Sequence, residues 1–281
     1  MLPFVPTDMD PSLRWGDGGG VMRLPLAILT AIILAALLGP LFLPWSYDAI
    51  DWNAVRVPPL SRSHLLGTDS IGRDLLARTL VGTRITLAVA LAAALVSLLI
   101  GVAWGAIAGW AGGKVDEAMM RIVDALYALP FMFVVILLMV VFGRSILLVF
   151  LGIGAVEWLT MARGVRGQVL VLKQRPFILA AEAAGAAPPA IILRHLLPNV
   201  AGVALAYLLL TVPQVVMIES FLSFLGLGVQ EPLTSLGILV KEGADDMDIA
   251  PHALLLPGGM LVAILITLTL LGERLRDRMA A

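Results

Sequence analysis

Residues 85–113 read ITLAVALAAALVSLLIGVAWGAIAGWAGG, without one charged side chain. A bilayer core about 30 Å thick is crossed by about 20 apolar residues in a helix. This run is longer than that, so it must tilt or project beyond the hydrocarbon. Five further runs flank it. Leu24–Trp45 is charge-free, and Ala125–Gly143 is a third candidate. Ile146–Ala162 is interrupted by Glu157, Val200–Leu227 is clear apart from Glu219, and Ile249–Gly272 closes the set. The composition agrees, since 60% of the 281 residues are hydrophobic and 14% are charged. A soluble domain carries about 25% charged residues and covers itself with polar surface. This chain cannot do so, and lipid is its solvent. The fold predicted is an all-α membrane protein of six transmembrane helices.

The net charge is −1, so nothing draws the whole molecule to nucleic acid, and placement of charge is what matters. With the N-terminus cytoplasmic, the inner side holds Arg14, Arg23, Lys114, Arg121, Arg163, Arg166, Lys173, Arg175, Arg194, Arg274, Arg276 and Arg278. The outer side holds Arg56, Arg62, Arg73, Arg78, Arg84, Arg144 and Lys241. Most of that minority lies in one long loop, and long loops weigh less in setting orientation. The final outer loop is acidic, with Glu231, Glu242, Asp245, Asp246 and Asp248. An N-in, C-in topology follows. Its segments are a cytoplasmic 1–23, a first span 24–45, an outer loop 46–83, a five-helix core 84–272 and a cytoplasmic tail 273–281. A cleavable signal is not expected, because Met1–Gly20 is polar and the first apolar run is too long for one.

Between the fourth and fifth spans lies Phe177–Asn199, FILAAEAAGAAPPAIILRHLLPN. Arg163, Arg166, Lys173 and Arg175 precede it, and Arg194 and His195 lie within it, which places the loop 163–199 in the cytoplasm. Its small residues allow close approach to a partner groove. Pro188 and Pro189 suit a helix start, where a missing N–H costs nothing. The expectation is a first helix ending near Ala187 and a second beginning there, along the membrane surface and free to dock onto a soluble partner. In the outer loop, Gly67-Thr68-Asp69 reads as a turn, with Asp69 or Ser70 capping a short helix through Arg78. Gly101, Gly105, Gly109, Gly112 and Gly113 recur mostly at four-residue spacing, a stripe that lets membrane helices pack closely.

Five blocks together resemble the binding-protein-dependent ABC importer permeases, specifically the second permease of the dipeptide/oligopeptide branch. They are LGTDSIGRDLLAR (66–78), GWAGGKVDEAMMRIVD (109–124), WLTMARGVRGQVL (158–170), ESFLSFLGLGVQEP (219–232) and GERLRD (272–277). The resemblance implies the type I importer permease fold with a cytoplasmic coupling helix. It implies as partners a second homologous permease, two ATP-binding subunits and an extracytoplasmic substrate-binding protein, with peptide as cargo in the bacterial inner membrane. Relatives in this branch carry nickel chelates, opines, glutathione or oligosaccharides, and any of these is the alternative cargo. Aligned on Gly185 and Pro198, the family's coupling motif places its alanine pair on Ala180 and Ala181. Its glutamate falls on Leu179, a departure. Glu182, one helical turn on, lies on nearly the same face. Leu179, Ala180, Ala181, Glu182, Gly185, Ala186, Arg194 and Pro198 are the residues expected to couple to the ATPase.

Glu157 and Glu219 are acids within spans, which marks them as functional candidates. With Ser223 they are the residues expected beside the translocation path, Glu219 to meet a peptide's amino group or else to pair or cap locally. The chain has no cysteine, and His64, His195 and His252 are too scattered for a metal site. The sequence contains no GxxxxGK[ST] loop, so ATP and Mg are expected on partner subunits. No catalytic constellation is recognisable, and a non-catalytic transmembrane subunit is expected.

Overall fold

The computed structural model describes residues 20–61, 63–143 and 145–280. Most of the N-terminal segment expected in the cytoplasm, with Arg14, lies outside the described residues, as do Arg62 and Arg144. The described helices are α1 (Gly20–Phe42), α2 (Leu75–Ala111), α3 (Gly113–Tyr127), α4 (Phe131–Phe142), α5 (Ile146–Leu172), α6 (Pro176–Ala183), α7 (Pro188–Ile191), α8 (Leu197–Phe224), α9 (Leu236–Asp245) and α10 (His252–Ala280). A π-helical turn, Ile192–Leu196, joins α7 to α8. Regular structure among the described residues is helical, apart from three isolated backbone bridges. Lipid imposes this, because a span must satisfy its own backbone hydrogen bonds.

Four stretches are long and apolar enough to cross a membrane: α1, α2, α7 through α8, and α10. The α3/α4 pair makes a fifth if its two parts are taken as one bent span. The run 125–143 is not one straight helix, because it breaks at Pro130 with a bend of 76°. Proline donates no backbone N–H and disfavours helix in the residue before it. The helix after that bent pair, α5, is 27 residues long, about 40 Å at 1.5 Å per residue.

The centre of the bundle is α2 against α5, and glycines set their separation. A Cβ on Gly101 would stand 2.5 Å from Met161 Cβ, one on Gly105 2.5 Å from the Ala162 carbonyl, and one on Gly109 2.9 Å from Val169 Cβ. The stripe is thus a packing seam as far as Gly109. At Gly112 and Gly113 the space is open and φ is positive, +65° and +53°. These two residues turn the chain from α2 into α3.

Asp74 caps α2: its Oδ1 accepts from Ala77 N at 2.8 Å. This corrects the expectation of a short helix capped by Asp69 or Ser70. Gly72, at φ +86°, keeps the chain turning until Asp74, and Asp69 is spent on the turn. Its Oδ1 accepts from Ile71 N at 3.0 Å and Arg73 N at 2.9 Å. The loop between α1 and α2, expected on the outer side, then closes over α9 through charge. Arg56 pairs with Asp246 at 2.8 Å, and Arg73 bonds Asp69 at 2.7 Å and Glu231 at 2.9 Å. Arg78 reaches both Asp69 and Glu242. Burial alone would raise the Asp69 carboxyl. The Arg78 guanidinium, with Arg73, outweighs it and holds the group below the usual carboxylate range.

Candidate functional site: the loop between α5 and α8 and the α8 glutamate

The loop that leads to α8 begins where α5 ends. Pro176 opens α6 at its first turn, a position that wastes no donor. The helix stops in a Schellman motif, with Gly185 N donating to Glu182 O at 2.9 Å and Ala186 N to Ala181 O at 3.1 Å. That geometry needs a left-handed residue, and Gly185 supplies it at φ +79°. Ala187 then caps α7, which starts at Pro188. The second helix expected from the sequence is present, but it does not stay a separate surface helix. It runs through the π turn directly into α8. Pro198 explains the turn, since in a regular helix its ring would meet the Arg194 carbonyl. The chain widens first, with Leu197 N donating to Ile192 O. Asn199 Nδ2 satisfies His195 O at 2.6 Å.

Ile178, Ile191 and Leu196 are fully buried in a cluster with Val165 and Val169 of α5 and Val200 of α8. Ala181 and Ala186 pack against the same cluster. The opposite face is apolar and open: Phe177 is 42% exposed, Leu179 52% and Leu193 64%. Ala180, Glu182, Gly185, Arg194 and Pro198 are exposed as well. The eight residues named from the sequence therefore divide. Ala181 and Ala186 hold the loop to the bundle, while Leu179, Ala180, Glu182, Gly185, Arg194 and Pro198 face outward. Leu179 and Glu182 share the outer face one turn apart, as their spacing requires.

Sequence reasoning missed what steadies the loop from behind. Arg166 on α5 grips Asp116 of α3 at 2.5 and 2.6 Å. Arg163 bonds Asp124 at 2.6 Å and lies 4.4 Å from the Tyr127 ring. Lys173 donates to the Trp110 carbonyl at 2.6 Å. The charged block Lys114–Asp124 carried the signal: acids on α3 facing the bases of α5.

Glu219 is fully buried. Its Oε2 accepts from Thr86 Oγ1 of α2 at 3.0 Å, and its Oε1 accepts from Ser223 Oγ at 2.7 Å. Thr86 Oγ1 in turn accepts from Leu236 N, the first residue of α9, at 3.1 Å. One carboxyl thus ties α2, α8 and α9 together. Glu157, half-buried on α5, is not brought to this junction, and Arg163 is committed to Asp124 instead. Among the described residues no group of histidines and acids is arranged to hold a metal.

Residues 101–280 match the family model described as "Binding-protein-dependent transport system inner membrane component". This chain belongs to that family. The permease is 48% identical over 253 residues to the oligopeptide transport system permease protein OppC of Escherichia coli K12, covering 90% of this chain and 84% of the relative. It is 41% identical to OppC of Bacillus subtilis 168, covering 90% and 82%. Similarity extends to the dipeptide transport system permease protein DppC of the same organism, at 40%, covering 90% and 79%. In fold it is similar to a chain of the inward-facing MetNI methionine ABC transporter, with a TM-score of 0.57 and 21% identity over 72% of this chain and 95% of that one. It is therefore a multi-pass protein of the bacterial inner membrane, with the type I importer permease fold. Its family works within transport systems that include a binding protein and further subunits.

Proposed function

We propose that this permease forms half of the translocation pathway of an ATP-driven importer of oligopeptides and dipeptides. A substrate-binding protein delivers the peptide from the extracytoplasmic side, and a second, homologous permease forms the other half. Two partner subunits bind ATP and Mg and perform the hydrolysis, while this chain is non-catalytic. The observation that carries the reading is the open apolar face of α6, α7 and the π turn, held rigidly by its buried back. Phe177, Leu179 and Leu193 are exposed, and with the loop on the cytoplasmic side they present bare apolar surface to water, which is the mark of an interaction site. The relatives most similar over nine-tenths of the chain support peptide as cargo.

Coupling then works by displacement. Closure of the ATPase dimer moves α6, and the buried Ile178–Ile191–Leu196 cluster passes that movement to α5 and α8. A path beside Glu219, Ser223 and Glu157 requires α2, α8 and α9 to part at the junction that Glu219 now closes. Binding protein and ATP must each favour one state over the other for the cycle to run.

The test is co-purification of the permease with the products of its neighbouring genes. Leu179→Asp and Leu193→Asp are the better variants, because both side chains are exposed and neither belongs to the buried cluster beneath the loop. Ala181→Asp would bury a charge in the bundle itself, and Gly185→Asp would strain the Schellman turn. Loss of the ATPase subunits from folded variants is expected. Purification of the wild-type permease alone, with solute movement in liposomes that needs no ATP, would refute the reading.

A further inference from the structure

Beside α1 the wall of the bundle holds a groove of about 370 Å³. Ile33 of α1, Leu87 and Leu91 of α2, Leu209 of α8 and Leu268 of α10 line it, and its charged member is Arg84. The other arginines described at this end of the bundle, Arg56, Arg73 and Arg78, are matched to acids. Arg84 is exposed and has no hydrogen bond or ion pair among the described residues.

Its depth is fixed by packing. Leu80 lies against Gly39 of α1, where an added Cβ would meet Leu80 Cδ1 at 2.6 Å. Arg84 is one turn further along α2, and Phe42, the last residue of α1, is three residues beyond Gly39. At 1.5 Å per residue the Arg84 backbone sits about 10 Å inside the end of α1. A guanidinium at that depth extends along the helix towards the headgroups. A phosphate there provides short, charge-assisted hydrogen bonds, and the groove below it is apolar.

We propose that this groove holds an acyl chain of an anionic phospholipid whose phosphate pairs with Arg84. The larger groove between α2 and α8, lined by Leu98, Val102, Val200 and Leu205, has no charged group and receives no such assignment. The lipid proposal rests on membrane insertion alone and stands apart from the identity of the cargo.

The assembled transporter, extracted in mild detergent, is offered phosphatidylglycerol or phosphatidylethanolamine, and bound lipid is counted by native mass spectrometry. One arginine near an anionic headgroup corresponds to roughly a fivefold preference for phosphatidylglycerol. Arg84→Gln should bring the ratio near one, and Ala88→Phe, which fills the groove but leaves the arginine, should lower retention of both lipids. An unchanged ratio in Arg84→Gln, or retention of neither lipid by wild type, overturns the proposal. The partner permease as occupant is tested separately. The chain has no cysteine, so Ala88→Cys introduces a single thiol in this subunit. Labelling of that thiol by an acyl-tailed maleimide in the assembled transporter is expected. Labelling of the isolated subunit with protection on assembly would overturn the lipid assignment in favour of the second permease.

Discussion

Gly105→Ala and Gly167→Ala are the same chemical change in two adjoining helices, and the structure gives them opposite signs. Alanine is favoured over glycine in a helix interior by about 1 kcal/mol. At Gly167 of α5 nothing lies within 4 Å of the new methyl, so that gain of up to about 1 kcal/mol should appear undiminished. At Gly105 of α2 the methyl would stand 2.5 Å from Ala162 O, 2.9 Å from Val165 Cβ and 3.0 Å from Arg166 N. Carbon contacts are comfortable at about 3.5–4.0 Å, so α5 must retreat by about 1 Å. Two of the three obstructing atoms are backbone, and no rotamer change relieves them. Overpacking of this kind costs about 1–3 kcal/mol, which exceeds the propensity gain over most of that range. The gap between the two variants should be about 1–3 kcal/mol. Tryptophan fluorescence during thermal unfolding includes the seam, because two of the six tryptophans, Trp104 of α2 and Trp158 of α5, meet edge to face there at 5.1 Å. Equal midpoints for the two variants, or a stabilised Gly105→Ala, would show that α2 and α5 do not pack through this glycine.

Gly185→Ala forces a left-handed conformation on a residue with a Cβ and should cost about 1–2 kcal/mol locally. Faster proteolysis of the α6–α7 loop, with the bundle intact, is the readout. Arg78→Leu leaves Asp69 buried beside Glu242 without its principal cation, and breaking such a pair costs about 3–5 kcal/mol. A drop in thermal midpoint is expected, with little change for Arg121→Leu, whose partner Glu117 is exposed. Acid titration gives a linked outcome for Asp69, whose folded pKa is depressed. Its contribution is fully present above the ordinary carboxylate value of 3.8 and is lost as pH falls through the lower folded value. A wild-type outer loop that loosens only below about pH 4 is therefore expected, and loosening at neutral pH would contradict it. Glu219→Leu strands the Thr86 and Ser223 hydroxyls and should cost about 1–3 kcal/mol. Glu219→Gln keeps an oxygen for Thr86 and offers an amide to Ser223, so its thermal midpoint should stay close to wild type.

Hydrophobic runs and glycine spacing make the helical membrane fold, the α2 seam and a helical loop between α5 and α8 legible in the sequence. Each depends on local composition or on a period, and both survive in one dimension. The departures lie where a contact distant in sequence decides. Asp69 looked like a helix cap because Asp, Ser and a following amphipathic stretch are the local cue. Its carboxylate goes instead to the Ile71 and Arg73 amides and to Arg78, and Arg78 is held there by Glu242, 164 residues away. Ala181 looked like half of an exposed pair, yet the turn at Gly185 folds it and Ala186 back against the bundle. The break in 125–143 has its local cue in Pro130, which the expectation of one span over that run does not use. Glu219 stands out in the sequence as an unusual acid, but its partner Thr86 lies 133 residues away and carries no motif.

These particulars bear on how a push at the loop reaches the outer face. The membrane part of α8 is entered through the π turn, so it is continuous with the surface that carries Leu193 and Arg194. At its far end α8 holds Glu219 and Ser223, then stops in a second Schellman turn, with Gly226 N donating to Ser223 O at 2.9 Å and Leu227 N to Leu222 O at 2.9 Å. A Cβ on Gly228 would collide with Ser223, so the chain after the helix packs back onto the residue that bonds Glu219. Glu219 meets Thr86, Thr86 meets the first amide of α9, and Glu242 of α9 meets Arg78 and the outer loop. Each step is a hydrogen bond or an ion pair with defined partners, not a smear of apolar contacts that yields gradually. Moving α8 must therefore either carry α2, α9 and the outer loop with it or break the Thr86–Glu219 bond. On the proposed function those are the two states the importer alternates between. Thr86→Val separates them, because it removes the bond without changing the shape of the side chain. ATPase turnover that no longer responds to the binding protein in Thr86→Val would mean that α9 follows α8 through this bond. An unaltered response would mean that the outer loop is moved by α2 alone.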